Sequence, residues 1–447
     1  MGNCTSNSYP PKAINLCYER KWNEVKLFLR SNATEKKKIE SLMYKYNDVW
    51  TCLHEACSYR APVHVIQAMI QIGGPELLKE GTSNALHNAC TRRFGAPAEV
   101  VELLVDAGGK DLVMQKDHRG RTALHNVCRS GASIEIVEFL VHAGGKDLVV
   151  QRDNHGRTAL HNACRYLASA EVVEILIATG GQELVMQSAN HGESALHEVR
   201  FHKVQKYSET LDIIRALVTV GGRELVMQEH KYGTTALRRI CMHITSKTPP
   251  SETSEALDML TWLRERKVLL KQDIQKYGLL AESCFTQDFQ EEIFRYLVDW
   301  NPGALKESEH RSILHKILAL GNYGTKGIID GNPQALQTFR MILQATMKHF
   351  TDEIGLLVQQ YDDQDSSCAT SVLEKAYSMF GKETTWNVIK ECLDDASIKG
   401  SIHETNARTN LYPFMVGAAG DNSDLSIVYH LFRTSPIVLD HRPPRYK

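Results

Sequence analysis

The residues in this chain whose types and spacing could do chemistry are histidine and cysteine, five of each recurring in or near register. They fall as His54 and Cys57, His87 and Cys90, His125 and Cys128, and His161 and Cys164, with His197 and Cys241 further on. Such a set raises zinc binding or thiol chemistry. Spacing argues against both. Equivalent residues of helices stacked side by side sit about 8 to 10 Å apart, while zinc ligands all lie about 2.0 to 2.3 Å from one ion. Adjacent cysteines of that column also exceed the ~7 Å Cα limit for a disulfide. Other near-matches fail individually. His197-Glu198-Val199-Arg200-Phe201-His202 has one residue too many to put both histidines on one helix face. Gly108-Gly109-Lys110-Asp111 lacks the first glycine and the Ser/Thr of a phosphate loop. Asp363-Gln364-Asp365 with Glu374 mimics a calcium loop, but Cys368 stands where the sharp turn needs glycine. No serine or cysteine is singled out as an activated nucleophile. The expectation is no enzyme activity, no metal and no cofactor.

The elements that position these residues form a repeat. Leu86-His87-Asn88-Ala89-Cys90 returns as Leu124 to Cys128, as Leu160 to Cys164 and, shortened, as Leu196-His197-Glu198-Val199, with an earlier copy at Leu53 to Cys57. The leading leucines are 33, 38, 36 and 36 residues apart. A second string, Gly108 to Gln115, keeps the same phase at 144–151, 180–187 and 221–228. Within one unit, Asp117-His118-Arg119-Gly120 predicts a turn, and Thr122 is placed to cap a short helix through Leu124 and Cys128. Ser130-Gly131-Ala132-Ser133 breaks that helix. Ile134, Val137, Leu140 and Val141 then mark a second helix that stops at Gly144-Gly145. One such unit cannot bury its apolar face alone, so neighbours must stack.

The Gly-x-Thr-Ala-Leu-His element at 120–125 and 156–161, followed by the small residues Ala163 and Cys164, resembles the ankyrin repeat family. Val49 and Thr82 stand where its turn glycine would be, and Arg238 replaces its histidine. The resemblance implies an all-α, ankyrin-type solenoid of stacked helix pairs with intervening fingers, in which the histidines brace neighbouring turns and the cysteines are buried filler. It also implies a protein-binding scaffold that performs no chemistry of its own. The expected organisation is an N-terminal segment at 1–12, a capping helix pair at 13–45, repeats at 46–272, degenerate helix pairs at 273–395, a C-terminal capping repeat at 396–439 and a tail at 440–447. Loop insertions are expected at 245–254 and 321–331.

Composition bounds the partners. Lys+Arg 52 against Asp+Glu 53 gives a formal charge of −1, so no global field draws the chain to nucleic acid or an anionic bilayer. Eleven cysteines in a long chain fit free thiols in a reducing compartment, and no run has the ~18 apolar residues of a membrane span. A cytoplasmic monomer is expected. Met1-Gly2-Asn3-Cys4-Thr5-Ser6 fits an N-myristoylation pattern with Gly2 as acceptor. Cys4 would carry the second acyl chain that stable membrane attachment needs, giving a membrane-tethered adaptor as the alternative reading. A third reading is an enzyme site within 273–447.

The neutral total conceals segregation. Turn and first-helix positions hold Arg92, Arg93, His118, Arg119, Arg121, Arg129, His155, Arg157 and Arg165, whereas the second helices carry Glu99, Glu102, Glu135, Glu138, Glu171 and Glu174. In ankyrin-like stacking the first set lines a concave face. The expectation is a basic groove that receives an acidic protein segment, pairing arginine with carboxylate or phosphate. Asp117 and Asp153 would partly neutralise it.

Overall fold

The structure, a computed structural model, describes residues 12–45, 50–81, 84–91, 95–131, 133–200, 207–284, 290–308, 311–314, 318, 333–350, 360–361 and 370–394. The chain divides into two compact units, Met1–Arg239 and Ile240–Lys447. The division falls before the expected repeat boundary at 272. The calcium-like loop at 363–368, the insertion at 321–331, the C-terminal capping repeat and the tail lie outside the described residues.

Among the described residues of the first unit, five short helices alternate with five long ones. The short ones are Cys52–Ser58, Ala85–Ala89, Ala123–Ser130, Ala159–Tyr166 and Ala195–Glu198. Their long partners are Val63–Lys79, Ala98–Met114, Ile134–Val149, Ala170–Met186 and Tyr207–Met227. Each element starts and stops for a local reason. Thr122 has extended backbone, its side chain and that of His125 close a reciprocal capping box over Ala123–Ser130, and Gly131 ends that helix at φ 67°. Leu124, Val127 and Cys128 are buried beneath it. Ser133 opens the next helix, which buries Ile136, Val137, Leu140 and Val141 and exposes Glu135 and Glu138. Full burial of such a side chain stabilises by roughly 1.5–3 kcal/mol.

The double glycine does more than the expected stop. Gly145 takes φ 60° and ψ −156°, which breaks the long helix, and a further helical turn follows that buries Leu148 and Val149. A Cβ on Gly144 would lie 2.4 Å from Leu148 Cβ, so the first glycine is needed for that turn to fold back. Each unit is therefore two helices plus a closing turn. The N-terminal region also differs, with three helices (Lys12–Tyr18, Trp22–Arg30 and Glu35–Met43) instead of a pair.

The second unit keeps helices and loses the period. Helix Ala236–Lys247 crosses into it and runs through the first part of the expected 245–254 loop. Thr245 Oγ1 donates to Cys241 O at 2.9 Å, and Pro249 with Pro250 then ends the run. A 3-10 turn at Pro250–Glu252 leads directly into helix Thr253–Glu265. Lys271–Lys276, Leu279–Cys284 and Glu291–Trp300 follow, burying Leu280, Phe294 and Leu297. Further on are Pro333–His349, Val372–Phe380 and Lys382–Leu393, where Phe339 and Phe380 meet at 5.6 Å. Among the described residues, strand is confined to two small antiparallel pairs, 306–308 with 311–312 and 360–361 with 370–371. No described helix is long and apolar enough to cross a membrane.

Candidate protein-binding face

Between one closing turn and the next short helix the chain forms a finger, and successive fingers are stitched together. Each finger closes on itself through Asp117 N to Arg121 O, Asp153 N to Arg157 O and Ala189 N to Glu193 O, all at 2.8 Å. Each then bonds to its neighbour: Asn154 N donates to Arg119 O at 3.0 Å, Asn190 N to His155 O at 3.0 Å, and Lys231 N to His191 O at 2.9 Å. Asn190 Nδ2 adds a bond to Asn154 O at 3.1 Å. The fingertips are thus a row of fixed backbone that displays His118 and Arg119, then Asn154 and His155, Asn190 and His191, and Lys231 and Tyr232, all exposed.

The histidine column holds this row to the helices. His125 Nε2 donates to Arg157 O at 3.0 Å, His161 Nε2 to Glu193 O at 3.1 Å and His197 Nε2 to Thr234 O at 3.2 Å. On the other ring edge, Nδ1 of His125 accepts the Thr122 N–H at 3.2 Å, and His161 does the same with Thr158. Both nitrogens of these rings are occupied, one fastening the repeat's own cap and the other the next finger. A second column works backward: Asn126 Nδ2 donates to His87 O at 3.4 Å and Asn162 Nδ2 to His125 O at 3.3 Å.

The proposed basic residues separate into two groups. His118, Arg119, Arg129 and His155 are exposed, with the Arg129 guanidinium 5.2 Å from the Tyr166 ring centroid. Arg121, Arg157 and Arg165 instead serve the fold. Arg121 places Nε and Nη2 on Asp117 Oδ2 at 2.9 and 2.7 Å within its own finger. Burial disfavours the charge on Asp117, but the hydrogen bonds and charge of Arg121 outweigh it and hold the carboxyl below its ordinary value. Arg157 Nε reaches Glu198 Oε1 at 3.1 Å, and Arg165 Nη1 reaches Glu198 Oε2 at 3.0 Å. Arg92 and Arg93 lie outside the described residues, as do Gly2 and Cys4. The opposite face keeps its acidity, since Glu99, Glu102, Glu135, Glu138, Glu171 and Glu174 are all exposed.

A family model of ankyrin repeats, in three copies, matches residues 86–188. This stretch is an ankyrin repeat array. A solved structure of an ankyrin repeat protein is 18% identical over 47% of this chain and 98% of its own, with a TM-score of 0.35. No curated protein matches. Ankyrin repeats generally serve as protein–protein interaction modules.

The titratable groups inside the ankyrin array are set for structure. Burial lowers His125 and His161 to about 4, so both are neutral at pH 7, as their carbonyl and amide partners require. Burial pushes the Cys128 thiol up to about 12 and raises those of Cys90 and Cys164 as well, so none is a thiolate nucleophile. Sequence reading missed Glu198, Arg200 and Arg239. The signal was present in the register, because Glu198 and Arg239 fall at the Asn126 and Asn162 position of the first helix.

Proposed function

We propose that this protein is a non-enzymatic scaffold that binds an acidic segment of a partner protein along the fingertips and first helices of its ankyrin array. The observation that carries this reading is the stitched row of exposed tips. It offers a rigid surface whose binding costs little ordering entropy, with His118, Arg119, Arg129 and His155 on it and exposed glutamates on the reverse. Arg121, Arg157 and Arg165 contribute by anchoring fingers and helices, and Arg92 and Arg93 extend the basic set one unit earlier. Protonated cysteines and fully engaged histidines in the array support a binding role over catalysis. The reading is tested by capture from native lysate with the intact protein and with His118, Arg119, Arg129 and His155 changed to Ala. Loss of a specific partner, with intact binding that weakens as salt rises, is expected. Equal capture by both would overturn it.

The motif at Gly2 and Cys4 favours a lipid-tethered version of the same adaptor. Replacing Gly2 with Ala should then remove both an N-terminal mass shift and the membrane-bound fraction. A fraction unchanged by the substitution would end that version.

A further inference from the structure

The position that carries Asn88, Asn126 and Asn162 in successive first helices changes character at the end of the array, becoming Glu198 and then Arg239. Where Asn126 and Asn162 donate to a backbone carbonyl, Glu198 is a buried carboxylate, 6% exposed. It holds Arg157 Nε at 3.1 Å and Arg165 Nη1 at 3.1 and 3.0 Å. Arg239 lies within electrostatic reach of Glu198, Glu193, Arg165 and Arg200. Burial of Arg239 works against its charge and lowers its pKa from the ordinary value, which Glu198 only partly offsets. Among the described residues neither the Arg239 nor the Arg200 guanidinium makes a hydrogen bond or ion pair. Glu193 Oε2 is likewise buried without a partner.

Arg239 is half-buried and its guanidinium stays within reach of solvent, so water fills the hydrogen bonds that no protein group fills and an anion can replace that water. The charges indicate which anion. Arg157, Arg165, Arg200 and Arg239 supply four positive charges against two negative ones from Glu193 and Glu198, leaving two. A carboxylate would neutralise one of them, whereas a phosphomonoester carries about −1.5 to −2 at pH 7 with three acceptor oxygens. Planar guanidiniums suit those oxygens. We propose that Arg165, held on Glu198, together with the neighbouring Arg239 and Arg200, receives the phosphoryl group of a phosphorylated side chain on the partner protein. This deepens the scaffold reading and rests on it. Glu198 acts as a positioning residue that holds Arg157 and Arg165 beside the phosphate.

The test uses the full chain with inorganic phosphate as probe, comparing thermal midpoints in phosphate, acetate and chloride at equal ionic strength. Phosphate should raise the midpoint and acetate should not. Arg239→Gln should leave the chloride midpoint unchanged or higher, because it removes a half-buried charge with no ion-pair partner among the described residues, and should lose the phosphate-specific rise. A drop in the chloride midpoint would mark Arg239 as merely structural and overturn the proposal. So would absence of a phosphate-specific rise in the intact protein, or its survival in the combined Arg200→Gln and Arg239→Gln variant. A second arm compares capture from lysate with and without phosphatase treatment, where loss of the partner after treatment is expected. Capture that depends on the fingertips but survives phosphatase would remove the phosphate site and leave the scaffold standing. A phosphate effect with no captured protein would instead overturn the protein source of the phosphate.

Discussion

The repeats from Asn84 to Arg239, which include the ankyrin stretch 86–188, and the described helices from Ile240 onward are built from similar apolar faces, yet the first set returns one motif at spacings of 36–41 residues and the second does not. The difference lies in their buried polar groups. In the array, His125 and His161 bond forward to the next finger while Asn126 and Asn162 bond backward, so each repeat fixes the phase of both neighbours. In the second unit the corresponding bonds come from unrelated positions, such as Gln290 Nε2 to Thr248 O at 3.3 Å and Asn301 Nδ2 to Lys271 O at 3.0 Å. Hydrophobic burial makes helices pack, and the polar columns make them repeat. Stability in the array should then behave as a sum of repeats and nearest-neighbour couplings.

Core truncation has the largest expected effect. Leu160→Ala, at a fully buried first-helix position, should cost about 2–5 kcal/mol. Hydrogen exchange should show the loss spreading to the flanking repeats, whereas Leu280→Ala should be felt among 279–300. Equal spreading in both cases would remove the distinction. Acid comes next. His125 and His161 sit near 4 when folded against an ordinary 6.5, so the unfolded chain takes up protons that the folded array refuses. Their contribution to stability is complete above pH 6.5 and is lost as pH falls toward 4, by up to about 1.4 kcal/mol per histidine per pH unit. Urea midpoints at pH 7 and pH 5 measure this, and His125→Gln should flatten the dependence.

Smaller changes sharpen the account of the columns. His125→Ala strands the Thr122 N–H and the Arg157 carbonyl, and should cost about 1–3 kcal/mol at pH 7. Thr158→Ala removes one cap and should cost about 1 kcal/mol. Glu135→Gln on the exposed back should stay within about 0.5 kcal/mol and leave partner capture unchanged. Chemical denaturation of each variant gives the ranking.

Much of the array was legible because its signals are local. Thr122 before Ala123, Gly120 in the turn and the apolar spacing of Ile134 to Val141 each specify one short stretch of backbone. The bracing histidines were legible through the family resemblance. What escaped were features decided at a distance. Leu148 and Val149 follow a helix stop and give no hint that they fold back under Gly144. Arg157 and Arg165 looked unpaired because their carboxylate, Glu198, arrives 41 and 33 residues later. The 245–254 stretch looked like slack, but helix-compatible residues carry the helix to Lys247 before the prolines act.

The central claim is that a partner docks on the stitched fingertips and not on the acidic back. Hydrogen exchange of the full chain, alone and with its captured partner, tests this most directly. Slowed exchange is expected in the finger segments 117–121, 153–157, 189–193 and 230–234, with no change along 134–142 and 170–178. Protection confined to the second helices, with fingers exchanging as in the free protein, would contradict it.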